Sequence, residues 1–223
     1  FSRVAAGCHF SLGLRGDGTL ACWGNPAQGR TLAPSGTFQA LSVGKAHACA
    51  IRSDGALLCW GDNASGQSVA PAGAFKRVSA GFYHTCAVRT DGELRCFGDN
   101  VFLQSKAPVG LYDEVSTGGF HSCAIKKDGT LLCWGYDGYG LTSAPAGTFS
   151  SVASGFYHSC GLRTDASLAC WGYTVFGQTT PPVAHFASVF AGPFSSCGLD
   201  DQGSETCFGE YARQAYLLQP TAS

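Results

Sequence analysis

Residues 47–61 read HACAIRSDGALLCWG, two short apolar segments on either side of a Ser-Asp-Gly triplet at 53–55. A triplet that ends in glycine is typical of a three-residue β-hairpin loop, in which the glycine takes the left-handed backbone conformation. Counting outward from this loop places Cys49 opposite Cys59, and opposed residues of antiparallel strands lie within disulfide range. The stretch therefore predicts a hairpin with a cross-strand disulfide.

This stretch belongs to a unit that recurs every 37 residues without insertion. An aromatic residue opens each of the six copies: Phe1, Phe38, Phe75, Tyr112, Phe149 and Phe186. One copy makes a small antiparallel sheet that cannot bury its own faces, so neighbouring copies must stack, as in repeat proteins. Because the end copies are as apolar as the others, a closed ring is favoured over an open stack with polar ends.

The repeat predicts an all-β fold, a six-bladed β-propeller in a single domain over residues 1–223. The blades are expected at approximately 1–37, 38–74, 75–111, 112–148, 149–185 and 186–223. The tail, residues 216–223, is expected to lie against the first blade. One hairpin turn departs from the pattern, since Ala166 follows Asp165 where most other repeats have glycine after aspartate. Alanine at that position should carry backbone strain.

The twelve cysteines follow the same period. Five equivalent pairs are each expected to form a disulfide within one blade: Cys49–Cys59, Cys86–Cys96, Cys123–Cys133, Cys160–Cys170 and Cys197–Cys207. In the first repeat Leu12 holds the usual cysteine position and Cys8 precedes it, so a Cys8–Cys22 bond is expected from the two cysteines that remain. Disulfides persist in oxidising compartments, which predicts a secreted or extracellular protein.

A metal site is the competing interpretation of the cysteines. His47, Cys49 and Cys59 would share one face of the sheet, because residues i and i+2 of a strand do so. The histidine recurs at His84, His121 and His158. Since no Cys-x-x-Cys motif and no fourth ligand are evident, disulfides are favoured, and no metal or other cofactor is expected. The repeated histidines are expected to form structural hydrogen bonds.

Charge and composition exclude several functions. With 14 Lys+Arg against 15 Asp+Glu, the chain lacks the basic surplus of a nucleic-acid-binding protein. The charged fraction of 13% and the apolar fraction of 45% exclude intrinsic disorder. No run of about 18 apolar residues is present, so no membrane-spanning helix is expected. Gly-x-Ser-x-Gly, His-Glu-x-x-His and phosphate-binding glycine motifs are absent, so no enzymatic activity is expected.

Two stretches resemble the regulator of chromosome condensation repeat: residues 81–88, GFYHTCAV, and residues 59–67, CWGDNASGQ. The resemblance covers the whole chain, and the paired cysteines resemble those of secreted bacterial members of the family. The short segments after Trp-Gly, such as residues 67–71, resemble those of β-lactamase inhibitory protein II, which has no comparable cysteine pattern. The resemblance implies a binding scaffold and leaves its target open, because fold does not imply function.

Two loops of each repeat are expected on the same rim of the propeller, the Gly-x-x-His loop and the loop after Trp-Gly. Aromatic residues at these positions vary by blade and crowd blades three to six. They are the candidate partner-binding residues: Phe82, Tyr83, Phe102, Phe120, Tyr136, Tyr139, Phe156, Tyr157, Tyr173, Phe176, Phe194 and Tyr211. Aromatic residues that repeat in every blade are expected to pack between blades instead: Trp23, Trp60, Phe97, Trp134, Trp171 and Phe208.

An exposed aromatic patch on one side of a rim is typical of an interaction site. The sequence therefore predicts a secreted, non-enzymatic protein that uses this rim to bind another protein, with enzyme inhibition as one form of that function. A carbohydrate-binding lectin is the alternative, because aromatic rings stack on sugar faces. Residues 82–84 and 156–158 both read FYH, which keeps that alternative open, since lectin propellers repeat their sites.

Overall fold

The computed structural model describes residues 1–210, which form short antiparallel strands joined by tight loops. Each repeat forms one three-stranded sheet with its strands in chain order. The strands are β1 Arg3–Ala6, β2 Phe10–Leu14, β3 Leu20–Gly24, β4 Phe38–Val43, β5 His47–Arg52, β6 Leu57–Gly61, β7 Phe75–Ala80, β8 His84–Arg89, β9 Leu94–Gly98, β10 Tyr112–Thr117, β11 His121–Lys126, β12 Leu131–Gly135, β13 Phe149–Ser154, β14 His158–Arg163, β15 Leu168–Gly172, β16 Ser188–Ala191, β17 Ser195–Leu199 and β18 Glu205–Gly209. Short 3₁₀ turns lie at Ala27–Gly29 and Gly138–Gly140. The tail contact expected for residues 216–223 falls outside the described residues.

The six sheets are the blades of a β-propeller, which confirms the predicted fold. The loop between the first two strands of every blade borders one central cavity, at Gly7, Gly44, Gly81, Gly118, Gly155 and Gly192. In the first five blades, one face of the sheet packs against the following blade, as Cys86 and Val88 do against Tyr112. Within residues 1–210, no helix has the length and apolar character needed to cross a membrane.

The hairpins have the register that the spacing predicts. Cys49 pairs with Cys59 across β5 and β6, and Gly55 in the loop has the left-handed φ of 88°. All five expected intra-blade disulfides are present, with Cα–Cα distances of 4.0–4.1 Å. The sulfur atoms that the metal interpretation would have used are therefore bonded to each other.

The expected Cys8–Cys22 disulfide is wrong, because both thiols are free. The cross-strand partner of Cys22 is Leu12, which is completely buried. Cys8 lies in the tight connection after β1, where the Gly7 N–H donates to the Phe10 carbonyl. The chain therefore turns directly into β2 and does not fold back toward Cys22.

Four buried histidines join successive blades from the second to the sixth. The Nε2 atom of each forms a hydrogen bond with a hydroxyl of the following blade: His47 with Thr85 at 2.8 Å, His84 with Ser122 at 2.8 Å, His121 with Ser159 at 2.7 Å and His158 with Ser196 at 2.8 Å. Burial lowers the pKa of His84 and His121 to about 3, and that of the other two to about 4, so the rings are neutral at pH 7. In the first blade Phe10 replaces the histidine, and it packs with Ala48, which replaces the hydroxyl residue.

The ring differs from the expected closed form at one place. In the first five blades, a Cβ atom on the loop glycine would lie 2.2–2.6 Å from the carbonyl oxygen of the next blade's glycine. A Cβ atom on Gly192 of the sixth blade would meet only Ser195, of its own blade, among the described residues. The described parts of the sixth and first blades are therefore separated by a cleft.

The strain expected at Ala166 is present, since its φ of 67° lies in the left-handed region that the equivalent glycines, such as Gly203, occupy with φ of 83–100°. We expect Ala166→Gly to raise the free energy of unfolding by roughly 0.5–1 kcal/mol, because glycine adopts this conformation without steric cost. Urea denaturation measures the change. Gly203→Ala is the matched reverse variant, because a Cβ atom there meets no neighbouring atom, and it should lose a similar amount. A loss of stability in Ala166→Gly would contradict the interpretation.

Candidate binding site on the aromatic rim

The two loops that carry the candidate aromatic residues are tied together by backbone hydrogen bonds. The Asp62 N–H, directly after β6, donates to the Ala46 carbonyl in the loop before β5. The same bond joins Asp99 to Tyr83 and Tyr173 to Tyr157. The Gly-x-x-His loop and the loop after Trp-Gly of each blade therefore form one continuous rim.

Eleven of the twelve candidate aromatic residues form one contiguous cluster on this rim, which we call the aromatic rim. Neighbouring rings have centroid distances of 4.2–6.4 Å. Its members are Phe82, Tyr83, Phe102, Phe120, Tyr136, Tyr139, Phe156, Tyr157, Tyr173, Phe176 and Phe194. The twelfth candidate, Tyr211, lies outside the described residues.

The inner part of the aromatic rim covers the mouth of the central cavity. Phe82 of the third blade and Phe156 of the fifth stack at 4.4 Å, although the fourth blade lies between them. This contact depends on Gly119, where a Cβ atom would lie 2.4 Å from the Phe156 ring. Both rings are half-buried, so one part of each ring packs inside the protein and the other part faces solvent.

The outer part of the aromatic rim is exposed. Phe102, Tyr139 and Phe176 are 40%, 59% and 37% exposed and belong to the loops after Trp-Gly. The aliphatic residues Val101 and Val175 are exposed beside them, although sequence reasoning singled out only the rings. The outer rim is therefore an apolar surface with both aromatic and aliphatic side chains.

Leu103 is a further exposed residue that sequence reasoning missed. Its φ is 63°, in the left-handed region that the equivalent Gly66 and Gly177 occupy. A leucine in place of that glycine costs conformational energy, and such strain clusters at ligand-binding sites. Comparison of the repeats at this one position is the signal that could have found it.

Buried glutamine side chains hold the exposed loops in place. The Gln104 Oε1 atom accepts a hydrogen bond from the Phe102 N–H at 2.8 Å, and its Nε2 atom donates to Asp99 at 2.7 Å. Gln178 accepts from the Phe176 N–H at 3.0 Å in the fifth blade. The exposed rings are therefore presented on loops whose backbone is fixed, which lowers the entropic cost of binding.

The Lys45 side chain lies where the aromatic rim meets the second blade. The Lys45 Nζ atom donates to the Tyr83 hydroxyl at 2.5 Å and lies 4.6 Å from the centroid of that ring. At the other side, burial and the neighbouring Tyr139 and Tyr136 raise the pKa of Tyr157. The Tyr157 hydroxyl therefore remains protonated at pH 7 and can donate a hydrogen bond to a partner.

Comparison with known proteins identifies the repeat. A family model described as the regulator of chromosome condensation (RCC1) repeat matches residues 38–67, 75–104, 113–141 and 149–178, together more than half of the chain. No curated protein matches the chain at a significant level of sequence similarity.

Solved structures with this fold include two plant receptor-kinase ectodomains. The entire ectodomain of the Physcomitrella patens receptor kinase CR4 has a TM-score of 0.74 and 28% identity over 92% of this chain, which spans 60% of that ectodomain. The CRINKLY WD40 ectodomain of the Arabidopsis thaliana receptor kinase ACR4 has a TM-score of 0.77 and 25% identity over 92% of this chain and 83% of its own length. Yeast RCC1 (Prp20), solved with Kap60, has a TM-score of 0.83 at 17% identity, over 97% of this chain and 71% of its own, and shares the fold alone.

Proposed function

The chain belongs to the regulator of chromosome condensation (RCC1) repeat family, and on that premise we propose that it is an extracellular, non-enzymatic module that binds another protein through its aromatic rim. The single observation that carries the proposal is the exposed, one-sided outer rim. Phe102, Tyr139 and Phe176 project from fixed loops in blades three to five, whereas the equivalent loops of blades one and two carry no aromatic residue.

The chemistry of the outer rim suits a protein surface. Aromatic side chains dominate the energy of protein interfaces, and an exposed apolar patch on a rigid scaffold favours association. Phe102 and Phe176 with their aliphatic neighbours would fill apolar depressions of the partner. Lys45 at the edge would face an acidic group. Inhibition follows if the partner is an enzyme whose active site the rim covers.

An extracellular location is supported by two observations. Five disulfides join strands within the blades, and such bonds persist in oxidising compartments. CR4 and ACR4, whose structures share 28% and 25% of their residues with this chain, are receptor ectodomains.

A glycan is the weaker candidate for the ligand. Sugar recognition needs polar side chains beside the stacking ring to pair with hydroxyl groups. The carboxylates nearest the outer rim are already used within the loops, since Asp99 accepts from Gln104 and Asp137 accepts from Thr142 at 2.5 Å. These two carboxylates are therefore not free to accept hydrogen bonds from sugar hydroxyls.

Replacing the two exposed phenylalanines should remove binding and preserve the fold. We expect Phe102→Ser with Phe176→Ser to weaken partner capture at least ~30-fold, which is the effect of losing about 2 kcal/mol at a single interface hot-spot aromatic. Leu103→Gly should also weaken capture while raising the melting temperature, because it removes an exposed side chain and its backbone strain together. The measurement is capture of extracellular proteins of the source organism on immobilised chain, beside a glycan array.

The matched control is Val109→Ser with Val183→Ser. Both valines are fully exposed, and they lie in loops near the hairpin turns, on the opposite rim. The control should capture the partner as the unmodified chain does. Equal capture by the Phe102/Phe176 variant would refute the proposed surface, and a glycan-array signal that this variant loses would replace the protein partner with a sugar.

A further inference from the structure

The loop after Trp-Gly holds a carboxylate between two donors in the second and third blades. In the second blade, the Asp62 Oδ1 atom accepts from the Ala64 N–H at 3.2 Å, and its Oδ2 atom accepts from the Gln67 Nε2 atom at 3.0 Å. Asp99 repeats both bonds in the third blade, with the N–H two residues later at 3.3 Å and with Gln104 at 2.7 Å. Both glutamines are buried, so the carboxylate is the acceptor that their amide groups require.

The fifth blade keeps the glutamine and lacks the carboxylate. Tyr173 stands at the position of Asp62 and Asp99. The Gln178 side chain is completely buried, and its Nε2 atom has no hydrogen-bond partner among residues 1–210. The Val175 N–H loses the same acceptor, because tyrosine has no carboxylate. Two donors of this loop are therefore left without the group that the other loops supply between them.

The loop of the fifth blade has the same conformation as that of the second, so the two donors keep their places. The Gly177 N–H donates to the carbonyl three residues earlier at 2.9 Å, as the Gly66 N–H does at 3.1 Å. The φ angles of the two glycines are 77° and 81°. The Gln178 Oε1 atom accepts from the Phe176 N–H at 3.0 Å, which leaves the Nε2 atom as the free end of the amide.

The fourth blade shows a replacement that satisfies the loop internally. Tyr136 occupies the same position as Tyr173, and Leu141, which replaces the glutamine, is completely buried. That blade has exchanged the aspartate and the glutamine together, and none of residues 136–141 has a buried side-chain donor without a partner. The fifth blade has exchanged only one of the two. Since a buried donor without an acceptor destabilises the folded protein, its retention indicates an acceptor from outside the loop.

We propose that an aspartate or glutamate side chain of the partner protein places its carboxylate between the Gln178 Nε2 atom and the Val175 N–H. This inference rests on the proposed function, because it names the chemistry that the aromatic rim recognises in the partner. A carboxylate fits better than a carbonyl group, since both of its oxygen atoms are used in the equivalent loops. Residues 172–183 contain no charged side chain, so no acid of this segment competes for the donors.

Aromatic rings surround the carboxylate position and define what must flank the acidic residue. The Tyr173 ring lies 4.9 Å from the Tyr139 ring and 5.8 Å from the Phe176 ring, measured between centroids. Beneath these rings water is excluded, which strengthens a hydrogen bond to a charged acceptor. Because the Gln178 Nε2 atom is buried, the Tyr173 ring rotates aside when the carboxylate enters. The acidic residue of the partner is therefore flanked by apolar side chains that pack on the displaced ring and on Phe176.

Nuclear magnetic resonance of the nitrogen-15-labelled full chain tests the site without the partner, with acetate as the probe. Sodium acetate, compared with sodium chloride at equal ionic strength, should shift the Gln178 side-chain NH2 and Val175 amide signals in a saturable way. The Gln104 side-chain and Val101 amide signals are the internal control and should not shift, because Asp99 already accepts from both groups. Absence of a saturable shift at Gln178, at any acetate concentration that leaves the chain folded, would overturn the proposal.

Two substitutions of Tyr173 separate the missing carboxylate from the ring. Tyr173→Asp supplies the acceptor from the chain itself, as in the third blade, whereas Tyr173→Ala removes the ring and supplies no acceptor. Tyr173→Asp should melt about 2–4 °C above Tyr173→Ala, because it pairs the buried donor. It should also lose the acetate shift and capture the partner about tenfold less than Tyr173→Ala. Equal acetate shifts in the two variants would contradict the proposed position of the carboxylate.

Failure of the carboxylate site and failure of the proposed function give different results. If acetate leaves Gln178 unchanged while the unmodified chain captures a protein that the Phe102/Phe176 variant loses, only the carboxylate site is rejected. If acetate binds and no extracellular protein is captured, the protein partner is rejected, and with it the source of the carboxylate. Binding of acidic glycans that is abolished in Tyr173→Asp would assign the carboxylate to a sugar instead.

Discussion

Reduction of the five disulfides is expected to unfold the protein under conditions in which the oxidised chain is fully folded. Each bond closes a loop of ten residues' separation, and such a loop contributes roughly 2–3 kcal/mol by restricting the unfolded chain. Five such contributions are comparable with the whole stability of a typical domain, which is about 5–15 kcal/mol. Thermal unfolding with and without a reductant, followed by circular dichroism, measures the effect.

A variant that lacks the disulfide of one blade separates the contribution of one bond from the effect of reducing all five. Cys86→Ala with Cys96→Ala removes one disulfide, and we expect it to lower the free energy of unfolding by about 2–4 kcal/mol, including the lost packing of a buried pair. Cys8→Ser is the matched control, since Cys8 is exposed and unbonded and should change the stability little. Equal stability of the two variants would show that the bonds do not hold the blades together.

Acid should destabilise the protein strongly between pH 6.5 and 4, through the four buried histidines. Their pKa values are lowered by burial from 6.5 to about 3 or 4, so the unfolded chain takes up protons in this range while the folded chain does not. Stability present above pH 6.5 is therefore lost as the pH falls. Each histidine contributes a loss on the order of 1–2 kcal/mol at pH 5, and the four together several times that.

The pH window identifies the histidines as the cause. Hydrogen bonds with Thr19 and Thr130 lower the pKa of the hairpin carboxyls of Asp17 and Asp128, so those groups titrate below 3.8, outside the window. A protonated ring would also carry an Nδ1 hydrogen without an acceptor, because the Nδ1 atom of His84 has no partner among residues 1–210. Urea unfolding at pH 7.5, 6 and 5 measures the slope of the free energy of unfolding against pH.

The chain itself contains the replacement that tests this prediction. Phe10 and Ala48 occupy the positions of the histidine and the hydroxyl in the first junction, and both are buried. His84→Phe with Ser122→Ala copies that pair and should remove about a quarter of the acid-induced loss. The Gln104 carbonyl that Ser122 bonds keeps its bond from Trp134. His185→Gln, at an exposed histidine, should leave the slope unchanged, and an unchanged slope in the first variant would reject the histidines as the cause.

Much of the fold could be predicted because each blade repeats the same sequence pattern of strands, turn residues and cysteines. The hairpin register follows from the loop at 53–55, and five disulfides follow from that register. The first repeat departs from this pattern, because its two cysteines are free although an even number of cysteines predicts that all are paired. Cys8 lies beyond the end of β1, and a bond to Cys22 would have to displace the buried Leu12.

The residues of the candidate site could be predicted from the sequence, but their contacts and their exposure could not. Variation between blades distinguished the rim aromatics from the packing ones, and eleven of them lie together in the structure. Variation could not show that Phe82 and Phe156 meet across Gly119, or that Phe102 and Phe176 are the exposed members. Leu103 was missed because its significance lies in its backbone conformation.

The sequence by itself determined the period, the strands, the sulfur pairs of five blades and the loops that share a rim, because each of these depends on residues close together in one repeat. Only the tertiary structure decided which rings are exposed, how the histidines join successive blades and which junction is open among residues 1–210. Those properties arise from contacts between repeats, and exposure at a junction depends on how two blades meet as well as on the residues of either one.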